Sequence, residues 1–159
     1  MNINLKKAAF LLAACCLTSS LPLLANPDIT QIATDQAPKA IGPYSQAICA
    51  GDYVFVSGQI AIDPAIGKLA GETIEEQTRQ VLKNMEAILT AQGLTLENVV
   101  KTEVYLKDLK DFSAMNNIYA EKFSYPIKPA RATVQISKLP LDAIVEISCV
   151  AFIPQALAQ

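Results

Sequence analysis

The chain of 159 residues contains no histidine, so Ser-His-Asp and Cys-His catalysis and His-ligated zinc are excluded. Any chemistry must use Arg, Lys, Asp, Glu, Tyr, Ser, Thr or Cys. There are only two arginines, Arg79 and Arg131. Arg79 falls on the polar side of a helical pattern and reads as a solvated surface residue. Arg131 follows Pro129-Ala130 and opens a β-rich run. A planar guanidinium held at a strand start suits bidentate capture of a small carboxylate, although a structural ion pair would use it equally well. Glu146 is the second candidate. In the last β-rich run Ala143, Val145, Ile147, Cys149 and Ala151 form one face, while Ile144, Glu146, Ser148, Val150 and Phe152 form the other. A carboxylate stands out on that mostly apolar face. The alternative is a carboxylate hydrogen-bonded within an interface.

The elements that must position these groups are read from periodicity. Tyr44 to Ala50 and Asp52 to Ile60 are β-rich runs joined at Gly51-Asp52, a Gly-first turn suited to a tight hairpin. A second turn is expected from Asp63-Pro64 to Gly67-Lys68. Thr73 and Glu76 form a capping box, Ile74, Val81, Met85, Ile88 and Leu89 share one face, and Gly93 supplies a stop, so a helix is predicted over Thr73 to Gln92. Val99 to Leu106 alternates as a strand, with Val100, Thr102, Val104 and Leu106 on one side. Asp111 is expected to cap a second helix whose core stripe is Phe112, Met115, Tyr119 and Phe123, a stripe that reads as packing. Strands at Ala132 to Ser137 and Ala143 to Phe152 complete a β-β-α-β-α-β-β order, an α+β domain with its helices on one face of the sheet. The other face, bearing Ile144, Val150 and Phe152, is expensive to leave in water. Self-association would cover it and bring Glu146 to an interface.

Residues 1–25 read as a signal peptide: a short basic segment ending in Lys6-Lys7, an apolar stretch from Ala8 to Leu24, and a cut after Ala25. The competing reading is a lipoprotein anchored at Cys15, from Leu12-Ala13-Ala14-Cys15. The expected location is therefore the periplasm or exterior, with residues 26–159 as a single domain and no stable membrane insertion. Removing Lys6 and Lys7 leaves eleven basic against fifteen acidic residues, a net charge of −4. A nucleic-acid partner is not expected at that balance. Of the four cysteines, Cys49 and Cys149 remain, either as two small core residues or as one disulfide.

Several ordered blocks are distinctive together: Ala40-Ile41-Gly42-Pro43-Tyr44-Ser45-Gln46-Ala47, Val56-Ser57-Gly58-Gln59-Ile60, Val100-Lys101-Thr102-Glu103-Val104-Tyr105-Leu106-Lys107-Asp108-Leu109, Phe112 with Asn116 and Tyr119, Pro129-Ala130-Arg131, and Leu139-Pro140 before Val145-Glu146-Ile147. Over residues 30–152 the chain resembles the RidA/YjgF family of imine deaminases. That resemblance implies a chorismate-mutase-like α+β fold with a mixed sheet, a homotrimer with active sites in clefts between subunits, and no cofactor or metal. It implies that Arg131 binds a substrate carboxylate and that Glu146, with its pKa raised in a partly apolar cleft, positions or activates water. Tyr44, Ser57 and Asn116 would line the cleft, Gly58 would let backbone approach the ligand, and the Thr133 backbone would meet the imine nitrogen. Many deaminating members carry Cys where this chain has Thr133. The implied reaction is hydrolysis of short 2-imino acids, such as 2-iminobutyrate and 2-iminopropionate, to 2-oxo acids and ammonia. A ligand-binding or regulatory protein without turnover is the alternative function, with ribonuclease activity ranked below it.

Overall fold

A computed structural model describes residues 29–154. Eight strands and two helices follow in the order β1 (Ile29–Ile32), β2 (Ala47–Ala50), β3 (Tyr53–Gln59), β4 (Ile62–Asp63), β5 (Lys68–Leu69), α1 (Ile74–Thr90), β6 (Val99–Leu106), α2 (Phe112–Lys122), β7 (Ala130–Gln135) and β8 (Val145–Phe152). Six of the strands form one sheet in the order β1-β2-β3-β8-β6-β7. Only β6 and β7 run parallel; every other neighbouring pair is antiparallel. The mixed α+β architecture agrees with the sequence reading. Two additions do not appear in it: the edge strand β1, too short and polar to show alternation, and the two-residue ladder of β4 with β5 around the expected turn.

Helix α1 starts where its side chains can satisfy its first N–H groups. The Thr73 hydroxyl accepts from Glu76 N and the Glu76 carboxylate accepts from Thr73 N, closing the capping box. Gly93 ends the helix in the left-handed region (φ +71°), and Leu94 N donates to Leu89 O at 3.0 Å. Ile74, Val81, Met85, Ile88 and Leu89 are all buried, as their spacing requires, against β3 and β8. Both helices pack on one face of the sheet, and α1 is clamped to α2 by exposed Arg79–Glu121 (2.6 Å) and Lys122–Glu86 (2.8 Å) ion pairs. Pairs this exposed contribute little to stability.

Four local expectations are corrected. The strand predicted from Tyr44 begins only at Ala47, because Tyr44 N donates to Gly42 O at 2.8 Å and bends the preceding segment. Asp111 makes no capping hydrogen bond; Asp108 instead accepts from Lys110 N at 2.9 Å, capping a short 3₁₀ turn that leads into α2. Phe112 leaves the core stripe and is exposed, while Met115, Tyr119 and Phe123 are buried. Val100 points outward and Val99 inward, because a register shift between Val99 and Lys101 opposite β8 inserts one residue and exchanges the faces upstream of it.

The alternation of β8 is observed as expected. Ala143, Val145, Ile147, Cys149 and Ala151 are buried under the helices, whereas Glu146, Ser148 and Val150 are half-exposed on the opposite, open face. There they join Ile48, Tyr53, Phe55, Val134 and Phe152, all exposed. Cys49 and Cys149 are both free: they are in register with Val54 and Val56 on β3, which separates their strands, so no disulfide can span them. Burial pushes the Cys149 thiol up to about 12. Thr73→Ala should remove the α1 cap and lower stability by about 1 kcal/mol, seen as a reduced urea midpoint with an unchanged slope.

Candidate functional site

A cleft of about 420 Å³ opens at the end of β3 nearest the start of β8. Its lining brings together Tyr44, Ser57, Gly58 and Glu146, four of the expected site residues. Ile41, Ile60, Ile62 and Pro140 make most of it apolar, and Lys39 is its single cation. The shape follows from an irregularity in β3. Val56 is in register with Cys149 and Gln59 with Ile147, so β3 carries one extra residue across this stretch. Gly58 lies in the bulge beside the Glu146 side chain. A Cβ on Gly58 would fall 2.0 Å from Glu146 Oε1, so this glycine provides the room in which the carboxylate rests on the strand. Its role in the isolated chain is to admit Glu146, whereas the family resemblance pointed to a ligand.

Burial alone raises the pKa of Glu146 above the ordinary carboxylate range, as a partly apolar cleft implies. Ser57 has its hydroxyl donated to Ser45 O at 2.7 Å and its N–H to Gln46 O at 3.0 Å, so it ties the wall of the cleft together. Tyr44 is half-exposed, and its hydroxyl accepts from Ile41 N at 3.4 Å.

Two amides that the sequence reading gave no role build the rest of the cleft. Buried Gln46 accepts from Thr34 N at 2.7 Å and donates to the carbonyls of Thr34, Ala37 and Pro38, holding the loop that carries Lys39 and Ile41. Asn84, buried on α1, donates to Ile60 O (3.2 Å) and Ile62 O (2.8 Å), fixing the apolar wall. An amide in a run of sequence carries no sign that it will clamp a loop; the signal arises only when the loop folds over it.

The other three expected residues lie elsewhere. Arg131 opens β7, where its Nη2 donates to Asn116 Oδ1 at 2.8 Å. Thr133 follows on the same side of β7, its hydroxyl buried without a hydrogen-bond partner. Because β7 is an edge strand, its outer backbone groups have no strand to pair with. Arg131 is in register with Thr102, and Thr102 with Cys149; Glu146 is three residues away along β8. At strand spacings the Cα atoms of Arg131 and Glu146 are about 14 Å apart. Arg131 shares the helix-side face with Thr102, while Glu146 shares the open face with Tyr105. The chain thus holds two parts of the expected site, a carboxylate cleft and a guanidinium edge, on opposite faces of its sheet. Arg79 pairs with a carboxylate, but among the described residues Arg131 has none within ion-pair distance.

Comparisons with known proteins bear on the family and the fold. The profile of the family described as Endoribonuclease L-PSP matches residues 34–153. A RutC family protein of Pyrococcus horikoshii is 53% identical over 121 residues, which span 76% of this chain and 95% of that protein. Reactive Intermediate Deaminase A, chloroplastic, of Arabidopsis thaliana is 51% identical over 120 residues, 76% of this chain and 64% of that one. Among solved structures, E. coli TdcF with bound serine superposes with a TM-score of 0.75 at 37% identity, covering 79% of this chain and 99% of TdcF. The expected leader over residues 1–25 lies outside both the family match and the described residues. Among the described residues no helix is long and apolar enough to cross a membrane.

Gly58→Ala should displace the Glu146 carboxylate and cost about 1–3 kcal/mol by overpacking. In the Glu146→Ala background the same change should cost far less. Urea unfolding of the four proteins in that cycle checks it.

Proposed function

From the premise that this chain belongs to the RidA/YjgF family, whose profile carries the description Endoribonuclease L-PSP, we propose that it hydrolyses short 2-imino acids to 2-oxo acids and ammonia. The observation that carries this reading is an oriented guanidinium that, among the described residues, has no carboxylate partner, on a chain that also holds a carboxylate in a mostly apolar cleft. The two half-sites cannot share a small substrate within one protomer. The proposal therefore includes a homotrimer in which the open sheet face is covered by further copies and the guanidinium edge of one subunit completes the carboxylate cleft of the next.

In this scheme Arg131 fixes the substrate carboxylate and Asn116 holds the guanidinium. Glu146, ionised, accepts a proton from a water molecule as the water oxygen bonds to the C=N carbon and the π electrons move to nitrogen. Glu146 then returns that proton to the nitrogen. The hydroxyl proton of the intermediate then passes through Glu146 to the nitrogen as the C=O forms and the C–N bond breaks, and ammonia departs. No cofactor takes part. A residue at Thr133 that contributes through backbone is compatible with Cys or Thr, since either side chain leaves the edge-strand groups free. A cleft with Lys39 as its only cation offers no track for a polyphosphate backbone, so RNA cleavage is not favoured.

Hydrolysis of freshly generated 2-iminobutyrate tests the reading. Arg131→Ala should lower kcat/KM at least tenfold, the equivalent of a charge-assisted hydrogen bond worth about 1.5–3 kcal/mol. Since Glu146 must be ionised and burial raises its pKa, kcat/KM should fall as pH drops through a value above the ordinary carboxylate range. Glu146→Gln should abolish turnover near neutrality. An assembled protein that binds 2-oxo acids but turns over no imine would select the ligand-binding alternative.

We also propose that residues 1–25 direct export, with lipidation at Cys15 as the competing route. Mass spectrometry of protein from its native host should find a chain beginning at Asn26; an intact leader overturns both routes.

A further inference from the structure

The α2 stripe that reads as packing from its spacing also surrounds the anchor. The Arg131 Cζ lies 4.5 Å from the centroid of the Tyr119 ring and 5.7 Å from that of Phe112, while Nη2 donates to Asn116 Oδ1 at 2.8 Å. Positions 112, 116 and 119 are four and three residues apart, so one face of α2 presents all three groups. Tyr119 is itself held firmly. Its ring stacks on Phe123 with centroids 4.3 Å apart at an interplanar angle of 25°. Its buried hydroxyl shares a 2.8 Å hydrogen bond with Thr102. Thr102 is the residue of β6 in register with Arg131, so the ring and the guanidinium are both referenced to one rung of the sheet. Burial raises the pKa of the Tyr119 hydroxyl, so the ring stays neutral and its electron-rich face remains available to a cation.

An arginine on an exposed edge strand would otherwise sample many rotamers, which a ligand would have to freeze. Here one nitrogen is occupied by an amide and one flank by an aromatic ring, while among the described residues the remaining N–H groups meet no carboxylate. We propose that Tyr119, braced by Thr102, acts with Asn116 as a positioning pair that holds the Arg131 guanidinium in one orientation, so that affinity for planar 2-oxo and 2-imino carboxylates depends on this cradle as well as on Arg131. The inference rests on Arg131 being the carboxylate anchor. It assigns Tyr119 and Thr102 roles that their helical and strand periodicity describe only as core.

The chain's two arginines make the test direct, because the side-chain Nε–Hε NMR spectrum of the full assembled protein holds two signals that Arg79→Lys distinguishes. In the wild type the Arg131 signal should be shifted by the Tyr119 ring current. Tyr119→Leu should move it toward the ordinary arginine position and weaken 2-oxobutyrate binding about tenfold by calorimetry, with KM for the imine rising more than kcat falls. Tyr119→Phe keeps the ring but loses its hydrogen bond to Thr102, so it should retain the shift and most of the affinity while its Arg131 signal broadens. Thr102→Val should broaden the Arg131 signal while the fold persists, and this variant together with Tyr119→Phe decides the matter if Tyr119→Leu does not fold. The proposal is overturned by an Arg131 signal indifferent to Tyr119, or by equal losses of affinity in the Phe and Leu variants. A wild-type protein that shows the ring-shifted signal but binds no 2-oxobutyrate refutes the deaminase reading and the ligand assigned here, while confirming the cradle's geometry.

Discussion

Strand β8 is hydrogen-bonded along both edges, to β3 on one side and β6 on the other, and its two faces meet opposite environments. Ala143, Val145, Ile147, Cys149 and Ala151 fill the space under the helices, so a slip of one residue would put Glu146 and Ser148 into the core and expose the apolar set. The register is therefore held by burial, and the position of Glu146 follows from it. With Val145 and Ile147 committed to the core, the residue between them can only face the open side. The cleft, the raised pKa and the separation of Glu146 from Arg131 all descend from that alternation.

Irregularities are placed where the regular ladder would not suffice. On β3 an extra residue between Val56 and Gln59 opens the strand beside Glu146, and Gly58 in that bulge has no side chain to strike the carboxylate. On β6 a shift between Val99 and Lys101 turns Val99 into the core and Val100 out. Downstream of it Lys101, Glu103 and Tyr105 lie on the open face, where Glu103 accepts from Lys101 Nζ at 2.8 Å and from the Tyr105 hydroxyl at 3.2 Å. Those donors hold the Glu103 carboxyl below its usual range. Two carboxylates on one open face thus differ in kind. Glu103 is solvated and paired, whereas Glu146 is partly desolvated and, among the described residues, forms no ion pair to offset the burial.

The helix layer does more than cover the sheet. Asn84 of α1 fixes the carbonyls of the cleft wall, Gln77 accepts from Ile144 N at 3.0 Å just before β8, and α2 surrounds Arg131. Near the same approach to β8, Leu141 and Asp142 occupy the left-handed region (φ +54° and +58°), a strained course for residues other than glycine, next to Pro140 of the cleft. Gln77 and Asn84, polar residues inside α1 that weaken its apolar stripe on paper, reach across to hold backbone. This is why they are buried and satisfied rather than errors in the pattern.

Much of this was legible in the sequence because it depends on neighbours a few positions away. The capping box at Thr73 and Glu76, the stop at Gly93, the hairpin at Gly51-Asp52 and the alternation of β8 are local relations, and each is found in the structure. The family resemblance rested on ordered blocks and survives comparison over residues 34–153. What the tertiary structure alone decided are relations between distant segments. Spacing put Phe112 in the core stripe, yet the packing of α2 against β7 gave it to Arg131. Cys49 and Cys149 read from their runs as small core residues with a disulfide left open, and β3 lying between their strands closes that alternative. That Arg131 and Glu146 face away from each other is likewise invisible in a chain where they are fifteen residues apart. Face and register are set only when β7 joins β6 in parallel and β8 joins the other edge of β6 in the antiparallel sense, a choice made by burial over the whole sheet.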